Sequence, residues 1–343
     1  MKAAPVLAAL AGRGPLRQTL VHTGQHYDAN MSDVFFQQLG MPAPDVNLEV
    51  GAASHAQQTA EIMSRFEPVA AKYAPDLVLV YGDVNSSMAA ALVCSKLGVR
   101  VGHVEAGLRS YDRSMPEEIN RIIADQLSDL LFTPSTDADQ NLCREGITAS
   151  KIHCVGNVMI DTLVRFLPHC DVHLPPGVPR RYALVTLHRP SNVDDPSLLR
   201  ALLDALNELG AELPMIFPVH PRTRQRMEQL DLPVSSGVRL LDPAPYLAFL
   251  ALQKHATLVI TDSGGVQEET TFLGVPCLTL RDNTERPITV SLGTNTVIGR
   301  DLGRLRGEVR DILSGGARKP QSIPLWDGHA AERIAEVLVA TMA

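Results

Sequence analysis

A chain of 343 residues exceeds the size at which one hydrophobic core keeps growing, so two domains are expected, and 45% hydrophobic beside 20% charged residues excludes a wholly disordered polymer. A net charge of −7 with no basic run excludes nucleic acid as the main partner, because neutralising phosphates takes clustered Lys and Arg; a small anion in a local pocket stays open. No apolar run approaches the roughly 20 residues of a membrane span, so no membrane partner is expected.

The opening, MKAAPVLAALAGRG, weakly imitates a signal peptide, but one Lys and a short alanine-rich run also read as an amphipathic helix over 3–11, the reading preferred here. A strand candidate at 19–22 follows directly. Doubly wound domains begin with their central strand, so the first strand of the N-terminal domain is expected to be missing. The cysteines at 94, 143, 154, 170 and 277 form no CxxC pair and no metal-ligand spacing with His. Cys94 and Cys277 sit in apolar runs as buried thiols, and a reducing, cytoplasmic location is expected.

Strand and helix signals then alternate. Short apolar or β-branched runs at 77–81, 99–104, 130–132 and 152–155 are separated by helical patterns at 54–73, 85–97, 117–127 and 136–145. Residues 168–181, with four prolines, two arginines and no periodicity, read as a linker. A second series follows, with strands at 182–186, 215–219, 258–261 and 277–280 and helices near 196–210, 244–254 and 266–273. The expected fold is α/β, two Rossmann-like domains facing across a cleft, over 1–167 and 182–328, with a closing helix in 329–343.

Ligands of open parallel sheets bind outside the carboxyl ends of strands, so the stretch GHVEAGLRSYDRSMPEEINR, 102–121, is the first candidate for chemistry. Glu105 ends a strand and Glu117 opens a helix behind Pro116; Asp83 follows the strand before them. A glutamate that continues an apolar strand is expected to be at least partly buried, where a carboxylate is useful for proton transfer. The plainer roles are a helix cap for Asp83 or Asn85 and a dipole partner for Glu117.

In the second series, TDSGGVQEE sets Ser263, Gly264 and Gly265 between a strand and a helix, where backbone N–H groups can cradle a phosphate. Glu268 and Glu269 follow, one of them within reach of ribose hydroxyls. His188 with Arg189, and His220 with Arg222 and Arg224, stand at the ends of successive strands, a pattern that suits a diphosphate clamp. Arg286, in the loop RDNTERP, is a further ligand candidate. No HExxH or Walker-type sequence is present, so neither a metal nor another cofactor is called for.

With these residues in place, TGQHYD, YGDVNSS, GHVEAGLRS with MPEEINR, GNVMIDTL, LHRPSN, PVHPRTR, TDSGGVQEE and RDNTERP resemble, in order and spacing, the non-hydrolysing UDP-N-acetylglucosamine 2-epimerases. The resemblance implies a glycosyltransferase-B fold, a homodimer, and interconversion of UDP-N-acetylglucosamine and UDP-N-acetylmannosamine. It implies that Asp83, Glu105, Glu117 and His188 are catalytic and that Ser263, Gly264, Gly265 and Glu269 hold the nucleotide. Lys2, Arg109, Arg189, His220 and Arg286 join them as substrate or UDP contacts. The family opens with a strand and a Gly-Thr-Arg-Pro-Glu turn that this chain does not contain; Lys2 matches a lysine of the helix that follows. Tyr27 and Ile288 stand where many members have Arg and Glu. A glycosyltransferase on the same fold, a hydrolysing epimerase and an inactive UDP-sugar binding paralogue are the competing readings.

Overall fold

Every position of the run 77–81, LVLVY, is branched, aliphatic or aromatic, a pattern that requires cover on both faces. The computed structural model describes residues 1–13, 16–24 and 39–342. It divides into unit 1, Met1–Thr162 with Pro324–Ala343, and unit 2, Leu163–Ile323.

Unit 1 runs α1 (Ala3–Leu10), β1 (Val21–His22), β2 (Val46–Asn47), α2 (His55–Tyr73), β3 (Leu77–Tyr81), α3 (Asn85–Leu97), β4 (Arg100–Val104), α4 (Pro116–Leu127), β5 (Leu130–Thr133), α5 (Thr136–Arg144) and β6 (Ile152–Cys154), and α6 (Val158–Phe166) begins in unit 1 and ends in unit 2. All its strand pairs are parallel: β1 pairs with β2, and β3, β4, β5 and β6 follow one another in a separate sheet. Alternation along β3 sorts its side chains. Leu77, Leu79 and Tyr81 join the core that holds Val6, Phe132 and Leu338, while Val78 and Val80 join Ile62, Phe66 and Ala89 beneath α2 and α3.

Local chemistry sets the helix ends. Ser54 caps α2, α3 stops at Gly98 with φ of 72°, and Pro116 starts α4 where its missing N–H costs nothing. The C-terminal helix, Ala330–Met342, belongs to unit 1. Asp161 accepts from the N–H groups of Ala330 and Ala331 at 3.1 and 2.6 Å, and Trp326 donates its indole N–H to Pro134 O at 3.0 Å. Residues 324–328, read from sequence as part of the second domain, are therefore part of the first. Their cue lies in partners distant in sequence.

Unit 2 contains β7 (Ala183–Thr186), α7 (Pro190–Val193), α8 (Pro196–Gly210), β8 (Met215–Pro218), α9 (Pro221–Gln229), β9 (Val238–Leu241), α10 (Tyr246–His255), β10 (Leu258–Thr261), α11 (Gly264–Leu273), β11 (Cys277–Thr279), α12 (Pro287–Ser291), β12 (Asn295–Val297) and α13 (Leu302–Leu313). Its sheet is parallel, in the order β12-β11-β10-β7-β8-β9, with the first strand near the middle. Ala183 and Val185 face one core and Leu184 the other, which explains the unbroken apolar run.

The stretch 168–181 is not an open linker. Asp171 binds Lys254 and His255 at 2.7 and 2.9 Å, Leu174 and Val178 pack on an apolar cluster of unit 2, and Arg239 donates to Gly177 O at 2.8 Å. Its prolines prevent a helix but not packing. Among the described residues, no helix is long and apolar enough to cross a membrane.

Candidate functional site

In unit 1 the candidate residues gather at the carboxyl ends of β3 and β4. Glu105, the residue after β4, is 5% exposed and takes a left-handed φ of 71°, a strained conformation for a residue with a side chain. Its Oε2 is paired with Lys2 Nζ at the start of α1. Gly82, φ 64°, lies directly under that pair, where an added Cβ would come within 3.0 Å of Glu105 Oε2. Glycine is needed there for both the backbone angle and the space.

The turn is held from below. His103 is buried between Asp125 Oδ1 at 2.6 Å and Gly82 O at 2.9 Å, and Asp125 Oδ2 accepts from Gly107 N at 3.1 Å. Burial works against the Asp125 carboxylate, but its pairs with His103 and Arg109 hold its pKa below the ordinary value.

Asp83, next to Gly82, accepts from Arg121 Nη2 at 2.5 Å and Nε at 3.0 Å. Arg121 is itself enclosed and pairs with Glu118 at 2.7 Å. The two adjacent glutamates of the MPEEINR motif thus diverge. Glu118 is 1% exposed and also accepts from Ser110 N and Oγ and Tyr111 N at 2.8–3.0 Å, whereas Glu117 is half-buried and, among the described residues, meets no hydrogen-bond or ion-pair partner. The capping role considered for Asp83 and Asn85 is not taken, because the N-cap of α3 is Val84 and no side chain bonds there.

Arg109 is not placed for a ligand, contrary to expectation. Its Nε and Nη2 donate to Glu145 at 2.7 and 2.6 Å, and its Nη1 donates to Asp125 at 2.7 Å and Leu108 O at 2.8 Å. Burial disfavours its charge but is outweighed by these acids, which raise its pKa. Within TGQHYD, residues 25–28 lie outside the described residues, as does Tyr27; Thr23 Oγ1 meets Ser86 Oγ at 2.8 Å.

In unit 2, α11 begins at the turn after β10. Ser263 is its N-cap, and Ser263, Gly264 and Gly265 are partly exposed, leaving the first-turn N–H groups and the positive end of the helix dipole open to an anion. Arg286 lies against this turn: a Cβ on Gly264 would sit 2.5 Å from its Nη1. Arg286 is held by Glu285 and by Glu268 at 2.9 Å, and Arg281 pairs with Glu285 at 2.6 Å. Glu268 and Glu285 offset the charge of the two guanidinium groups, so the N–H groups of the turn and the helix dipole carry the attraction for an anion.

The residue before this turn is one that sequence reading passed over. Asp262 is fully buried and accepts from His188 Nδ1 at 2.8 Å, from the N–H groups of His188 and Arg189 at 2.9–3.2 Å, and from Asn192 Nδ2 at 3.1 Å. Burial works against its charge, and these donors overcome it and hold its pKa low. His188 therefore has Nδ1 engaged, with 40% of its side chain exposed. The signal was present, since Asp262 closes a strand next to the glycine turn.

His220 caps α9, accepting from Arg222 N at 3.2 Å, and its ring stands 6.0 Å from that of His188. Burial, then the neighbouring His188 and Arg222, lowers the His220 pKa. Arg222 and Arg224 turn to Asp194 and Asp242, and Arg189 Nε donates to Asp262 O at 3.0 Å. Glu269 is enclosed, accepting from Tyr246 Oη at 3.0 Å and Gln253 Nε2 at 2.6 Å, and burial raises its pKa in spite of these donors. Each of its oxygens keeps a second lone pair.

Residues 8–339 match the family of UDP-N-acetylglucosamine 2-epimerases, a span that holds all of these residues except Lys2. The chain belongs to this family. It is 42% identical to a UDP-2,3-diacetamido-2,3-dideoxy-D-glucuronate 2-epimerase of Pseudomonas aeruginosa, over 98% of this chain and 96% of the relative. It is 39% identical to the UDP-N-acetylglucosamine 2-epimerase of Methanococcus maripaludis, over 98% of this chain and 94% of the relative. A crystal structure of the Methanocaldococcus jannaschii UDP-GlcNAc 2-epimerase in complex with UDP-GlcNAc and UDP superposes with a TM-score of 0.90 at 39% identity, covering 99% of this chain and 96% of that one. As an epimerase family, it places the chain among the isomerases, with the α/β two-domain architecture expected from sequence.

Proposed function

We propose that this chain interconverts UDP-N-acetylglucosamine and UDP-N-acetylmannosamine by eliminating UDP and adding it back. C2 of the sugar has no neighbouring carbonyl, so its proton becomes removable only as the C1–O bond to UDP breaks and positive charge develops at C1. Base catalysis and leaving-group stabilisation must act together, giving a bound 2-acetamidoglucal whose reprotonation on the opposite face of C2 inverts that carbon.

In this reading Asp83, Glu105 and Glu117 are the acid–base groups, with Lys2 beside Glu105. Ser263, Gly264, Gly265 and Arg286 hold the diphosphate, His188 with Arg189 and His220 assists the leaving oxygen, and Glu269 takes the ribose. The observation that carries the reading is the family match over residues 8–339, which spans the carboxylates of unit 1 and the glycine turn of unit 2 together. Glu117 supports it as well, since among the described residues its carboxylate has no partner to compete with a substrate proton.

The test is incubation with UDP-N-acetylglucosamine alone in D₂O. UDP-N-acetylmannosamine with deuterium at C2 is the expected product. Absence of exchange without an acceptor would assign a glycosyltransferase or an inactive paralogue, and free N-acetylmannosamine with UDP a hydrolysing epimerase. A UDP-diacetamido-uronate substrate is the second reading, favoured by the 42% identity to the Pseudomonas aeruginosa enzyme, and turnover of both sugars decides it. Gel filtration tests the homodimer and fractionation the cytoplasmic location, both of which form part of this proposal.

A further inference from the structure

The motif GHVEAGLRS carries two polar side chains that the proposed chemistry leaves unused, His103 and Arg109, and both are buried. His103 belongs to β4. Its ring is fully enclosed, with Nε2 2.9 Å from Gly82 O and Nδ1 2.6 Å from Asp125 Oδ1. A carbonyl oxygen only accepts, so Nε2 carries the proton of that bond. Asp125, on α4, reaches with its other oxygen to Gly107 N at 3.1 Å and Arg109 Nη1 at 2.7 Å, and Arg109 continues to Glu145 behind α5.

Both ends of this chain of contacts land on turns. Gly82 directly precedes Asp83, and Gly107 stands two residues after Glu105. The pairing of β3 with β4 runs as far as Tyr81 and Val104, with one further bond from Gly82 N to Val104 O at 2.9 Å. Past that point strand geometry no longer sets the distance between the turns. Glu105 N and Ala106 N both donate to Phe132 O at 3.0 Å, and Asn120 Nδ2 donates to Asp83 O at 2.9 Å, so each of these contacts holds one turn only. The His103–Asp125 pair takes one backbone atom from each turn.

Glu105 has the backbone most in need of such support, since a left-handed φ of 71° persists only where the surroundings over-determine it. Gly82 also lies under its carboxylate, where an added Cβ would come within 3.0 Å of Oε2. A displacement of Gly82 therefore reaches Asp83 through the chain and Glu105 through contact.

We propose that His103, backed by Asp125 and Arg109, is a positioning residue for epimerisation: it fixes the spacing of the Asp83 and Glu105 turns, and with it that of two carboxylates that handle the C2 proton. The proposal rests on the reading of Asp83 and Glu105 as acid–base groups. Enclosed polar and charged groups gain little net stability over apolar groups of the same volume, so this cluster serves geometry more than stability.

Two substitutions in the full 343-residue protein divide the contacts of His103. In His103→Gln the amide N–H reaches about as far as Nε2 and keeps Gly82 O; in His103→Asn it lies near the place of Nδ1, keeps Asp125 and falls short of Gly82 O. His103→Asn is expected to lower kcat about 10–100-fold with KM and the UDP dissociation constant within about twofold, as a misplacement on the order of 1 Å does. His103→Gln is expected to regain at least about fivefold of that loss. Each kcat is taken per site that binds UDP in calorimetry, so that unfolded protein does not count. The proposal is overturned if His103→Asn keeps the wild-type kcat per site, or if both variants fall equally, which would mark a purely structural histidine. Glu105→Gln is assayed beside them. Full activity there refutes the acid–base reading and this proposal with it, whereas an inactive Glu105→Gln beside a fully active His103→Asn refutes the positioning role alone. Should neither His103 variant fold, wild-type protein with isotope-labelled histidine decides by nuclear magnetic resonance. The Nε2–H signal of His103 is expected to resist exchange and to shift with UDP-N-acetylglucosamine but not with UDP; no such shift overturns the proposal.

Discussion

Asp262 Oδ1 lies 2.8 Å from His188 Nδ1 and joins the strand end that leads into the glycine turn to an imidazole at the end of another strand. An aspartate so placed fixes which ring nitrogen carries the proton and where the other points. Asp262→Asn keeps an oxygen for the N–H groups of His188 and Arg189 but exchanges an acceptor for a donor at Nδ1. We expect kcat for epimerisation to fall about 10–100-fold with KM little changed, and the pH–rate profile to shift. Steady-state kinetics from pH 6 to 9 check this, and an unchanged kcat would remove His188 from the chemistry.

The neighbours Glu117 and Glu118 should separate activity from stability. Glu118→Gln leaves Arg121 short of a buried counter-charge and is expected to cost about 3–5 kcal/mol, read as a lowered denaturant midpoint. Glu117→Gln, half-buried, should change stability by less than about 0.5 kcal/mol while lowering kcat about 10²–10⁴-fold. Loss of activity without loss of stability at Glu118 would reverse the assignment.

Glu269→Gln is expected to leave the fold intact or firmer. A carboxyl whose folded pKa is raised imposes a cost that is absent below its unfolded pKa, about 4.3, and complete above the folded one. Glutamine removes that cost and can donate toward Gln253 Oε1. The variant should therefore melt at or above the wild-type temperature at pH 8 while binding UDP more weakly; calorimetry measures both.

Asp125 predicts the acid limb of unit 1. Its folded pKa is depressed, so its contribution is complete above the unfolded value of about 3.9 and is lost as pH falls through the lower folded value. Asp125→Asn should melt well below wild type at pH 7, with the gap closing below about pH 4. A gap that stays constant down to pH 2 would deny the charge its role.

Much of the architecture was legible because long elements carry their own periodicity. The helix expected over 196–210 is Pro196–Gly210, and the strand expected over 77–81 is Leu77–Tyr81. Elements that escaped notice are short or lack an apolar stripe. β2 has two residues and β12 three, and α9 buries only Thr223 and Met227 beneath a run of charges. The linker read at 168–181 rested on its prolines, whereas Asp171 and Leu174 bind it to unit 2 through partners no local pattern reveals.

Sequence alone determined the class of fold, the family and the residues worth asking about, since glycine turns, strand-end carboxylates and alternating elements are local properties written in spacing. Only the tertiary structure decided which of those residues are already engaged. Arg109 and Glu117 look equally available in the sequence, yet one guanidinium is divided between Asp125 and Glu145 while the other side chain meets no partner among the described residues. The physical reason is that a charged group's role depends on what neutralises it within a few ångströms, and those partners lie 16 and 36 positions away along the chain.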